Sequence, residues 1–75
     1  MGKYPARQRA IVAAIREARR EAGISQRALS VRLGEHHSFL SRVERLERDV
    51  TVAELIAIAK ELKLDPLELF SRALR

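Results

Sequence analysis

Residues 25–45 read SQRALSVRLGEHHSFLSRVER. Ser25 suits a helix N-cap, and Ala28, Leu29 and Leu33 follow at the three- and four-residue spacing of a short amphipathic helix. Gly34 stops that helix. The next helix is expected to begin around His36, with Phe39, Leu40 and Val43 on one side. At roughly 100 degrees per residue, His37, Ser38, Ser41, Arg42 and Arg45 share an arc of roughly 140 degrees on the other side, and Arg48 joins it if the helix continues. An aliphatic stripe faces inward; hydrogen-bonding and cationic groups face outward. A two-faced helix behind a short helix and a tight glycine turn has the geometry of a helix-turn-helix, whose second helix lies in the major groove of DNA, although the stripe taken alone equally fits an ordinary solvated surface.

The flanks supply the remaining helices. Between Pro5 and Ala22, residues Ile11, Val12, Ile15, Ala18 and Ala22 keep helical spacing, and Gly23 stands where a C-terminal cap is expected. Thr51 and Glu54 form a capping box ahead of Leu55, Ile56, Ile58, Ala59 and Leu62. Asp65 and Pro66 are an N-cap and a first-turn proline, so LELFSRALR is a fifth helix. Strand signals and internal repeats are absent from the sequence. The expectation is a compact all-α fold of five helices, a single domain over residues 1–75, with the helix-turn-helix at about 26–45.

Composition narrows the chemistry. Without cysteine there is neither a disulfide framework nor a thiolate cage, and a chain of 75 residues must rely on aliphatic packing. No apolar run reaches the roughly 18 residues of a membrane span, and the start MGKYPARQRA lacks a signal-peptide core, so a cytoplasmic protein is expected. Residues 1–48 carry 11 Lys/Arg against 5 Asp/Glu, whereas residues 49–75 carry 4 against 5. The positive field belongs to the first two thirds and favours a polyanionic partner, nucleic acid before an acidic membrane.

The pattern S-Q-x-x-L-x-x-x-L-G in SQRALSVRLG, followed after five residues by LSRVE, resembles the helix-turn-helix family of the phage Cro and cI repressors, the Xre family. The resemblance runs without a gap from about Ile15 to Phe70. It implies a lambda-repressor-like domain that binds double-stranded DNA. It also implies that Gln26 helps fix the protein on the DNA backbone, and that His36, His37, Ser38 and Arg42 hold positions contacting bases or adjoining phosphates. Arg27, Ser41, Arg45 and Arg48 join the candidates on helical position and charge. The counterpart of Glu44 in the family pairs with a basic residue of the first helix, here Arg19, which implies a structural salt bridge rather than a catalytic carboxylate.

Three positions depart from the family pattern. His36 replaces a Ser or Thr cap, leaving the backbone amides of that helix start either less satisfied or bonded by imidazole. Ser30 replaces the commoner alanine at the close contact of the two helices. Leu46 and Val50 replace a turn-forming Gly and Pro, so the third helix is expected to run past Leu46, because left-handed leucine costs roughly 1 to 2 kcal/mol.

Competing chemistries fit less well. Zinc-binding histidines on one helix sit four apart, whereas His36 and His37 are adjacent and point about 100 degrees apart, so no metal site is expected. Ser38 next to His37 is no nucleophile and base, since adjacent helical residues do not face each other. Neither a catalytic residue nor a cofactor is expected. Ordinary histidine titrates near neutrality, so His36 and His37 are where pH would act on DNA affinity. An antitoxin or scaffold using these helices for protein recognition is the alternative.

One recognition helix covers only a few base pairs, which predicts a homodimer on an inverted repeat with half-site centres roughly 34 Å apart. The long first helix, or the fifth with Leu67, Leu69, Phe70 and Leu74, is the expected contact, one of Phe70 and Leu74 being alternatively part of the monomer core. The expected role is transcriptional regulation, as a repressor or controller protein, with RNA polymerase or an antagonist protein as a further partner.

Overall fold

A computed structural model describes residues 3–75, which form five α-helices with no strand among the described residues. They are α1 (Pro5–Glu21), α2 (Gln26–Arg32), α3 (Phe39–Glu44), α4 (Val52–Glu61) and α5 (Pro66–Ala73). Helix starts follow local chemistry. The Ser25 hydroxyl accepts from the Ala28 amide at 3.0 Å. Thr51 Oγ1 accepts from the Glu54 amide at 3.1 Å, while Glu54 Oε1 accepts from the Thr51 amide at 2.9 Å. Asp65 Oδ1 accepts from the Leu67 amide at 2.9 Å, with Pro66 in the first turn. Each cap satisfies an amide the helix leaves unpaired, and replacing one by alanine typically costs about 0.5 to 2 kcal/mol.

Helices α1 to α4 end alike. A residue of positive φ sends its amide back to the carbonyl three residues earlier, and the following amide returns to the carbonyl five residues before it. The left-handed positions are Gly23 (φ 68), Gly34 (φ 74), Leu46 (φ 64) and Lys63 (φ 60). Gly23 and Gly34 carry no Cβ penalty there. Leu46 overturns the expectation of a longer third helix. Its amide bonds the Val43 carbonyl at 3.0 Å, and the Glu47 amide bonds the Arg42 carbonyl at 2.9 Å. Those bonds satisfy carbonyls at the end of α3, and the Leu46 side chain still packs on the core. Together they outweigh the left-handed cost. The third helix also starts at Phe39 rather than around His36, so the recognition segment is a helix of six residues behind a turn.

Every helix contributes to one apolar core. Ile15, Leu29, Leu40, Val43, Ile58 and Leu69 are fully buried. Helix α1 lies along α5, α2 packs on α3, and α4 joins α2 and α5. Arg72 ties α5 down through Glu17 (2.9 Å) and Glu21 (3.0 Å) on α1 and Glu68 (3.2 Å) on its own helix. The apolar residues of the fifth helix divide differently from the expectation. Leu69 closes the core, whereas both Phe70 and Leu74 stay outside, 43% and 61% exposed. Among the described residues, no helix is long and apolar enough to cross a membrane.

Candidate nucleic-acid interface

The seat of α3 is built around one buried carboxylate. Glu44 Oε2 accepts from Arg19 Nε at 2.7 Å, and Oε1 accepts from Arg19 Nη2 at 3.1 Å and Gln26 Nε2 at 2.9 Å. Arg19 also donates Nη1 to the Ile24 carbonyl at 2.9 Å. Arg16 completes the set, donating Nη2 to the Glu44 main-chain oxygen at 2.7 Å and facing Oε1 at 3.4 Å. One carboxylate thereby links α1, α2 and α3. Burial alone pushes the Glu44 carboxyl up, but hydrogen bonds from Arg19, Gln26 and Arg16 and the Arg19 charge prevail and hold it below the usual carboxylate range.

The start of α3 is held by three separate acceptors. The Phe39 amide bonds the His36 carbonyl at 2.9 Å, the Leu40 amide bonds Ser30 Oγ at 3.0 Å, and the Ser38 amide reaches His36 Nδ1 at 3.2 Å. Imidazole thus bonds a backbone amide where the family usually has a Ser or Thr. Ser38 stands at the N-cap without a side-chain cap bond, its hydroxyl lying 2.8 Å from the same Nδ1.

The candidate residues separate by what already occupies them. Arg27, His37 and Arg42 are exposed, and among the described residues neither Arg27 nor Arg42 has an ion-pair partner. The His37 ring leans on His36 with centroids 4.2 Å apart. Its pKa lies below the ordinary value, through the neighbouring His36 charge first, then desolvation and the Arg27 charge. Ser41 and Gln26 are half-buried and already bonded, Ser41 Oγ donating to the Ser38 carbonyl at 2.9 Å and Gln26 donating to Glu44. Gln26 Nε2 keeps a second hydrogen for a further acceptor. Arg45 pairs with Glu47 at 3.1 Å on the open surface.

Arg48 stands apart from α3, because the helix on which its position rested does not continue. It grips Glu54 with Nη1 and Nη2 at 2.8 and 2.7 Å and lies over the Phe39 ring, 4.6 Å from its centroid. The Arg48 hydrogen bonds first, with the Thr51 backbone bond and the Arg48 charge added, hold Glu54 down to about 2 against burial. Sequence reasoning missed Arg16 and the bonding of Ser30. Arg16 lies three residues before Arg19, hence on the same helical face, a signal that was there to be used.

A helix-turn-helix family model matches residues 15–69. An XRE-family like protein from Pseudomonas syringae pv. tomato has 37% sequence identity and a TM-score of 0.85, over 95% of this chain and 87% of that one. A restriction-modification controller protein has 24% identity and a TM-score of 0.82, over 91% and 87% of the two chains, a likeness of fold alone. Comparison with curated proteins yields no match.

Proposed function

The chain belongs to the Xre type of helix-turn-helix family, a family of DNA-binding transcriptional regulators, and we propose that it acts as a homodimer reading an inverted-repeat operator through the major groove. One observation carries the reading: α3 presents exposed Arg42 and the turn before it presents exposed His37, while the other face of α3 is buried and its end is anchored by Glu44. A short, firmly seated helix with donors outward suits base edges, and Arg42 has the fork that bridges O6 and N7 of guanine. Arg27 and the second Gln26 hydrogen are assigned to phosphates. Phosphate contacts set register and most of the affinity; base contacts set sequence.

The second copy is assigned to an apolar groove on α4 and α5, lined by Val52, Leu55, Ile56, Pro66, Leu67 and Phe70. Val52 and Leu67 are 74% and 75% exposed, and contiguous exposed apolar surface of this kind marks an interaction site. Charge supports self-association there. Residues 49–75 are near neutral, 4 Lys/Arg against 5 Asp/Glu, whereas the positive excess lies in residues 1–48 with α2 and α3. Two copies meeting by α4 and α5 therefore avoid the like-charge repulsion that the basic face would impose.

The biological reading is repression or controller-type regulation in the cytoplasm, by covering a promoter or touching RNA polymerase, tuned by concentration, self-association or an antagonist protein. Selection of bound duplexes from a random pool, followed by titration at several salt concentrations, tests it. The expected result is a symmetric site with half-site centres roughly 34 Å apart and affinity falling steeply with salt. No affinity for any duplex at low salt, or a slope near zero, rejects DNA reading in favour of a protein-recognition module.

A further inference from the structure

We propose that Ser30 is a positioning residue for DNA reading, its hydroxyl locking the start of α3 onto α2; this rests on the DNA-binding reading of α3. Ser30 is fully buried. Its Oγ donates to the Gln26 carbonyl at 2.7 Å and accepts from the Leu40 amide at 3.0 Å. A hydroxyl has one hydrogen, so once that hydrogen is committed to α2 the lone pairs are fixed in direction, and one meets α3. The path from the Gln26 carbonyl through Ser30 Oγ to the Leu40 amide joins two segments that must touch DNA together. Gln26 carries the side chain assigned to phosphate, and Leu40 lies in the first turn of the helix carrying Arg42.

The same bond completes the capping of α3. Ser38 at the N-cap makes no side-chain cap bond, its hydroxyl being engaged with His36 Nδ1. The Leu40 amide is one of the orphan donors at that terminus, and its acceptor comes from α2 instead. Alanine is the commoner family residue here, where a Ser or Thr caps the helix start; with His36 in place of that cap, Ser30→Ala leaves this buried amide without its partner and loosens the start of α3. Base-edge hydrogen bonds depend on angle and distance, whereas attraction to phosphate is long-ranged and tolerant. Loosening the start of α3 therefore weakens sequence discrimination more than general DNA affinity.

The test uses the full chain with Ser30→Ala and the near-isosteric Ser30→Cys, whose thiol is only a weak donor and acceptor. Affinities for the selected operator and for an unrelated duplex are measured at one salt concentration, and amide hydrogen exchange is followed in the unbound protein. For Ser30→Ala the expected result is a loss of about tenfold in operator affinity, the scale of one misplaced base contact, with unrelated-duplex affinity within about twofold of the parent. Leu40 should exchange at least about tenfold faster while Ile58, deep in the core, keeps its protection. Ser30→Cys is expected to fall between the parent and Ser30→Ala. Unchanged Leu40 protection in Ser30→Ala, or equal proportional losses on both duplexes, overturns the positioning role. A parent protein that binds no duplex defeats the DNA reading itself, a distinct outcome that removes this role with it.

Discussion

At the scale of single residues, the proposed reading and the observed anchoring fall to different side chains of one short helix. Arg42 points outward with no ion-pair partner among the described residues, so Arg42→Ala should leave the fold intact. It should cost about 1 to 3 kcal/mol of operator binding and relax the base preference at one position of each half-site, read by repeating the duplex selection. Glu44, two residues on, is buried and takes the opposite part. Glu44→Ala leaves the buried Arg19 guanidinium without its counterion, so urea unfolding should show a loss of about 3 to 5 kcal/mol. Because its folded pKa is depressed, Glu44 stabilises the fold above the ordinary glutamate pKa of about 4.3, and that contribution is lost as pH falls through the folded value. His37 acts on binding instead. Its lowered pKa keeps it neutral at neutral pH, and protonation adds a positive charge to the proposed DNA-facing surface. Operator affinity should therefore rise only once pH falls below the ordinary histidine value of about 6.5, and His37→Asn should remove part of that rise in a titration by fluorescence anisotropy.

At the scale of elements, helix ends decide more than helix interiors. The same C-terminal turn is made by Gly23 and Gly34 without strain and by Leu46 and Lys63 against it. Lys63 is exposed, so Lys63→Gly should stabilise the protein by about 0.5 to 1 kcal/mol, the left-handed relief exceeding the added chain entropy, visible as a Tm rise of a few degrees. Leu46→Gly should not stabilise in the same experiment, since the apolar side chain it removes packs on the core. The start of α4 carries its own acid sensitivity. Glu54 serves both the Thr51 cap and Arg48, and with its pKa at about 2 the stability it contributes is full above about 4.3 and is lost between there and about 2.

At the scale of the whole molecule, the basic reading face and the apolar groove belong to different helices. Under the proposed function, that separation leaves one surface for DNA and another for a second copy. Leu67 lines the groove and is 75% exposed, outside the core, so Leu67→Glu should leave the monomer folded. Sedimentation should then show a monomer at concentrations where the parent is expected to be a dimer, and operator affinity should fall more than affinity for an isolated half-site. Equal dimerisation by both proteins would move the contact elsewhere.

Local sequence was sufficient for what depends on local chemistry. Five helices, the caps at Ser25, Thr51 and Asp65, and the glycine stops are all legible, because each arises from residues within one or two turns. The family pattern likewise pointed to the pairing of Arg19 with Glu44, which the structure contains. Tertiary structure decided the rest. Leu46 turns left-handed because bonds to α3 carbonyls and packing on the core outweigh a local cost that argued for a longer helix. Arg48 leaves the α3 stripe for Glu54 once that turn forms. Ser30 meets the Leu40 amide only when α2 and α3 are docked, ten residues apart in the chain. Spacing along one helix foretells which residues share a face, but not which atoms of another element will complete their hydrogen bonds.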